Sequence, residues 1–323
     1  MKFKLVPLIL ALGLIFALIS SGCSIEPSDD DGKIKIVTTL FPLYDFAKQI
    51  TGDKANVSLL LHPGVEAHSY EPTPRDIINL SKADVFIYTG EFMEPWAHKT
   101  IETIKNDSIV VIESGKNINL IELTEDHDED YDEDHDEGHD EEHAHDGTDP
   151  HIWLDPLLAV KMLDNILEGI ILSDPENEEY YSGNAAGYEL KLQKLHEDFV
   201  DLVENSRNKT IIHGGHFAFG YFARRYDLSY MSPYSGFAPN SEPTTQKIAQ
   251  LIDNLNESDT NVIYFEELIE PRVAQVISDQ TGARMLILHA AHNISKEELD
   301  EGITYLEIMY NNLENLKVGL EYE

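Results

Sequence analysis

Fourteen aspartates and glutamates and five histidines (His127, His135, His139, His143 and His145) fill the 22 residues from Glu125 to Asp146, with no lysine or arginine among them. Carboxylates raise the local cation concentration and neutral imidazoles coordinate borderline metals such as Zn²⁺, so weak metal binding is expected here. Too few apolar side chains remain to offset chain entropy, and the stretch 125–147 reads as a disordered loop. The bland alternative is a solvated acidic tract with incidental histidines. Against it, Asp149-Pro150-His151-Ile152-Trp153-Leu154-Asp155-Pro156 follows within three residues, placing an ordered histidine at the loop's exit.

Of the 14 histidines, His68, His151 and His216 sit in contexts dense in proline, aromatic and acidic residues. His68 lies in His62-Pro63-Gly64-Val65-Glu66-Ala67-His68-Ser69-Tyr70-Glu71-Pro72, and His216 in His213-Gly214-Gly215-His216-Phe217-Ala218-Phe219-Gly220-Tyr221. Three neutral imidazoles would make a nitrogen-rich site that suits Zn²⁺, whereas Mn²⁺ favours more oxygen. Ligating imidazoles usually pass their second N–H to a carboxylate or carbonyl, which makes Asp149, Asp155 and Glu66 candidates. Glu266, at the end of a strand, could hydrogen-bond across a cleft. His62, His98, His196 and His213 read as structural or surface residues, since a lone histidine is seldom a ligand.

The elements that must carry these residues alternate. Short β-branched runs are expected as strands at 35–39, 57–61, 84–88 and 109–112, and again at 210–213, 228–231, 262–265 and 285–289. Helical patterns around 44–51, 74–81, 96–105, 244–256 and 271–281 lie between them, the signature of βαβ units. The fold class is therefore α/β, two four-stranded parallel-sheet lobes. Between them Asp174-Pro175 offers a helix start, and Tyr181, Ala185, Tyr188, Leu192, Leu195, Phe199 and Leu202 recur at steps of four and three. One long rigid helix joining the lobes is expected over 173–207, although Gly183 and Gly187 weaken its first turns. Residues 33–172 and 208–323 would then be the lobes. His68 and His216 fall just past strands, where ligands of open α/β sheets bind, so one shared site is possible.

Residues 1–23 read as an export signal: Lys2 and Lys4, an apolar run from Leu5 to Ile19, then Ser20-Ser21-Gly22-Cys23. That ending resembles a lipoprotein signal, in which Cys23 receives lipid; residues 24–32 would be a tether. Cys23 is the single cysteine, so neither a disulfide framework nor a thiolate metal site is available. A net charge of −37 argues against nucleic-acid partners, whose phosphates need a basic surface.

Taken in order, Cys23, His68-Ser69-Tyr70-Glu71-Pro72, the acidic histidine loop, Asp149 to Pro156, His216 to Tyr221 and Ser241-Glu242-Pro243 resemble the metal-binding solute-binding proteins of ABC importers, specifically the zinc branch. The resemblance spans nearly the whole mature chain. It implies two α/β lobes holding one metal in the cleft, with His68 and His151 from the first lobe and His216 from the second. The manganese branch typically has glutamate at the third position, where this chain has His216. Relatives bring a carboxylate near the last strand to the metal; His289 stands about where it would be, and His289, His292 or water could complete the site. The implied role is a monomeric, lipid-anchored extracytoplasmic receptor that delivers zinc to a membrane permease powered by an ATPase, without covalent chemistry. A manganese or iron receptor, a zinc hydrolase and a surface adhesin are the alternatives. The chain lacks an H-E-x-x-H helix and an evident nucleophile, base and oxyanion set, which counts against the hydrolase.

Overall fold

The computed structural model describes residues 32–104, 106, 108–122, 147–234, 243–257 and 260–323. Cys23, the loop histidines His127, His135, His139, His143 and His145, and Ser241-Glu242 lie outside the described residues. Of the first 33 residues only Gly32 and Lys33 are described, both outside helix and strand. Everything that follows concerns the compact unit Ile34–Glu323.

Its first half is a four-stranded parallel sheet in the order β2-β1-β3-β4, built from β1 (Ile34–Thr38), β2 (Ala55–Leu59), β3 (Val85–Tyr88) and β4 (Val110–Glu113). The period of two divides the central strands β1 and β3 between two cores. Ile36, Val85 and Ile87 face one cluster, shared with α1 (Phe41–Thr51), while Val37, Phe86 and Tyr88 face a second with Leu80 and Ala97 of α2 (Pro74–Leu80) and α3 (Trp96–Thr103). Burial on both faces is why β3 reads as an unbroken apolar run, Val85-Phe86-Ile87-Tyr88.

The second half holds β5 (Thr210–Ile212), β6 (Ser229–Met231), β7 (Val262–Phe265) and β8 (Arg284–Ile287). All four expected strands are present and parallel in pairs, but they do not form one continuous ladder. β5 pairs with β6 and β7 with β8. The pairs meet at a single bridge, His213 to Tyr264, beside the Gly214 N–H bond to the Tyr264 carbonyl at 2.7 Å. That meeting point lies just before the chain turns off to carry His216.

Between the halves run two helices, α4 (Pro156–Ser173) and α5 (Glu178–Glu204), separated by a 3-10 turn at Pro175–Asn177. The expected start at Asp174-Pro175 begins that turn instead, because Asp174 is occupied in accepting the Tyr181 hydroxyl at 2.5 Å and the Asn177 amide at 2.8 Å. The 27 residues of α5 are uninterrupted, and its buried set is Tyr181, Ala185, Tyr188, Leu192, Leu195, Phe199 and Leu202. At about 1.5 Å per residue they span roughly 40 Å. The helix packs against α1, α4 and α10 (Tyr305–Gly319). No helix among the described residues is long and apolar enough to cross a membrane.

Candidate metal centre

Each of the three histidines is delivered by a loop whose shape its neighbours dictate. His68 follows β2, where the Glu66 carboxylate accepts the His68 and Ser69 backbone N–H groups at 2.8 and 2.7 Å and closes a turn. His151 leads into a 3-10 turn, Ile152–Leu154, and then α4, whose N-cap Asp155 accepts the Leu157 N–H at 2.9 Å. His216 follows β5 through Gly214-Gly215. A Cβ on Gly214 would come within 2.6 Å of Ala274, and one on Gly215 within 2.7 Å of the Glu266 carboxylate, so only glycine lets this loop lie against its neighbours.

The three rings converge. One ligand atom from each of His68, His151 and His216 lies within 4.8 Å of the others. His68 Nε2 and His151 Nε2 are 3.2 Å apart, close to the roughly 3.3 Å between nitrogens that share a tetrahedral zinc at about 2.0–2.1 Å. His151 and His216 are almost fully buried, and His216 Nε2 has no hydrogen-bond partner. A buried nitrogen left without a partner costs free energy unless something else meets it, and a metal would.

Carboxylates hold the outward nitrogens. Asp149 Oδ1 stands 2.8 Å from His151 Nδ1, and Glu266 Oε2 stands 2.7 Å from His216 Nδ1. Such contacts fix the ring and turn Nε2 inward. Of the other candidates, Glu66 binds the His68 backbone and Asp155 pairs with Arg225 at 2.7 Å, away from the rings. Glu266 lies on the same half of the chain as His216 and does not reach across.

His292 and His289 divide sharply. The His292 ring lies 6.0 Å from that of His68, and its Nδ1 is 3.7 Å from Glu267 Oε1, too far for a hydrogen bond. His289, expected as the fourth donor, is turned toward other groups: Nδ1 accepts the Ala291 N–H at 2.9 Å and stands 3.4 Å from the same Glu267 oxygen, and Nε2, without a hydrogen-bond partner, faces Glu298 at 3.8 Å. Asn312 clasps its backbone through both N–H and carbonyl, each at 2.8 Å. Glu267 carried no signal in the sequence beyond its place beside Glu266.

Burial sets the charge of the centre. Desolvation pushes His68 down to about 3, with further lowering from His292 and His216, and pushes His151 well below the ordinary imidazole range. Desolvation likewise lowers His292. It drives Asp149 up to about 8, even though the carboxylate accepts the His151 N–H. Glu266 is the exception: burial raises it, but the His216 hydrogen bond and the neighbouring imidazoles bring it below the usual carboxylate range. Burial thus favours the neutral, cation-binding form of the His68, His151 and His292 imidazoles, and a dication would draw the proton off Asp149.

A parallel α/β protein with three converging imidazoles, two of them buried and backed by carboxylates, is a metal-binding protein. Its family follows from the chain as a whole. Residues 36–319 match the family described as ZnuA, zinc-uptake complex component A, periplasmic, and the chain belongs to that family. It is 39% identical over 313 residues to the high-affinity zinc uptake system protein ZnuA of Bacillus subtilis, covering 97% of this chain and 96% of that one. It is 32% identical to the zinc-binding lipoprotein AdcA of Streptococcus pneumoniae, covering 97% of this chain but spanning 61% of that longer protein. The crystal structure of the Zn(II)-bound ZnuA-like domain of AdcA superposes with a TM-score of 0.73 at 30% identity, covering 90% of this chain and all of that one.

Proposed function

We propose that this protein is the extracytoplasmic zinc-binding receptor of an ABC-type uptake system, capturing Zn²⁺ and passing it to a membrane permease served by an ATPase. Zinc is cargo, and the protein does no covalent chemistry. The observation that carries the reading is the convergence of His68, His151 and His216 on one buried point, with His216 Nε2 unpartnered. Nitrogen donors favour zinc over manganese, and the zinc-uptake and zinc-binding names of the relatives agree with that choice. We assign Nε2 of His68, His151 and His216 as ligands and His292 as the fourth, because the His292 ring lies 6.0 Å from that of His68, whereas Nδ1 of His289 accepts the Ala291 N–H and its Nε2 is turned to Glu298. The site would sit between lobes 33–172 and 208–323, with Cys23 as the lipid attachment point and the 125–147 histidines as weak accessory sites.

The test is metal analysis and competitive titration of the soluble form beginning after Cys23. Tight equimolar zinc, preferred over Mn²⁺ and Fe²⁺, is expected. Preference for either of those metals would move the protein to another branch of the receptors, and ester, peptide or phosphate turnover dependent on His151 would make it an enzyme.

A further inference from the structure

We propose that Asn293 is the residue that fixes the position of His68, reaching from the C-terminal half of the chain to hold the loop on which His68 is carried. The inference rests on the reading of His68 as a zinc ligand. Between β2 and α2 the chain runs from residue 60 to 73 with no strand or helix to hold it. Two backbone bonds to β1 and its end, Leu60 to Thr38 and Leu61 to Thr39, anchor its first residues. Beyond them the His62 to Val65 turn is held from the other half of the molecule. The Asn293 carboxamide donates to the His62 carbonyl at 2.9 Å and to the Val65 carbonyl at 2.6 Å, and the Gly64 N–H donates to the Ile294 carbonyl at 2.9 Å.

Asn293 is completely buried, and its carboxamide oxygen is also engaged, accepting the Ile294 N–H at 2.8 Å. Both of its donated bonds go to the loop, so its side chain has one way to sit. The backbone around it is tied to the N-terminal half as well: Phe41 N–H donates to the His292 carbonyl at 3.2 Å, and Trp153 Nε1–H donates to the Ala290 carbonyl at 2.7 Å. Asn293 therefore belongs to a strap that carries His292 and is bonded to the chain beside both His68 and His151. It does not face the metal; it positions a group that does. Without its two donors, the Val65 carbonyl loses its partner on the strap, the His62 carbonyl keeps only the Val65 N–H at 3.1 Å, and the turn before His68 keeps only the Gly64 bond to the strap.

The experiment is a double-mutant cycle on zinc release. Dissociation is followed by stopped flow with a chromophoric chelator for wild type, Asn293→Ala, His68→Ala and the double variant. Asn293→Ala is expected to speed release by about 10–100-fold, the usual effect of losing a group that orients a ligand, and to change association by less than about threefold. In the His68→Ala background the same substitution should change release by less than about twofold, because its target is gone. Asn293→Asp, which sets a carboxylate against two carbonyl oxygens, should release zinc at least as fast as Asn293→Ala. Asn293→Ser, which keeps one donor, should be intermediate and replaces the alanine variant if that one does not fold. In metal-free protein, amide exchange at Val65 to Ser69 should accelerate in Asn293→Ala, a readout that holds whether or not zinc is the cargo. Unchanged release, or the same acceleration in both backgrounds, would overturn the proposal. A wild type without tight zinc binding would instead overturn the receptor reading and leave the exchange result to judge Asn293.

Discussion

Alanine substitutions at His292 and His289 separate metal binding from stability. Each histidine is buried and each stands near Glu267, yet they differ in what their ring nitrogens touch. Removing the His292 ring leaves His68, His151 and His216 in place, and a zinc with three protein nitrogens and one water is itself a workable arrangement. The loss is therefore bounded: we expect affinity to fall about 10–100-fold, or roughly 1.4–2.8 kcal/mol. No hydrogen bond to His292 Nδ1 is given up, since that atom has none, so the unfolding midpoint should move little. His289→Ala removes the acceptor of the Ala291 N–H and the partner of Glu298. A buried donor left unsatisfied costs about 1–3 kcal/mol, and zinc affinity should stay within about threefold of wild type. Competitive titration against a chelator of known affinity gives the first quantity and urea unfolding of metal-free protein the second. If His289→Ala weakened zinc tenfold while His292→Ala left it unchanged, the assignment from ring contacts would be wrong.

Glu266→Gln keeps the size of the group behind His216 but removes its charge, and should weaken zinc by about 10–100-fold with little change in the melting temperature of metal-free protein. Zinc binding should release about one proton at pH 7, because Asp149 is protonated below about 8 in the empty centre and ionised when His151 carries metal; affinity should thus fall as pH drops below 8. Calorimetry in buffers of different ionisation enthalpy measures the release, which Asp149→Asn should abolish; no release from the wild type at pH 7 would refute the burial argument. Replacing 125–146 by a short Gly-Ser linker should leave one tight site and remove additional weak zinc binding, because the described residues flanking the loop close through a bridge between Glu122 and Thr148; equilibrium dialysis counts both.

Periodicity carried the scaffold. The seven buried positions of α5 are readable from steps of four and three, and each strand lies within two residues of its expected ends, because short runs rich in β-branched and aromatic residues favour the extended backbone. Less was legible where local signals were mixed. The helix at Pro156–Ser173 is not among the expected elements although Asp155-Pro156 marks its start, and the capping boxes Ser295 with Glu298 and Thr304 with Glu307 announce α9 (Lys296–Glu301) and α10.

The sequence by itself determined which loops carry His68, His151 and His216, since their neighbouring prolines, glycines and acids are local features. It could not rank His289 against His292. Both follow the last strand three residues apart and both stand near Glu267, and the distinction lies in other partners: Asn312 and Glu298 for one, the His68 ring for the other. Nor could it show that Glu266 serves His216, 50 residues away, or that Asn293 grips carbonyls 228 and 231 residues before it. Hydrogen bonds and burial depend on distance in space, and separations of that length are fixed only when the sheets and the connecting helices have packed.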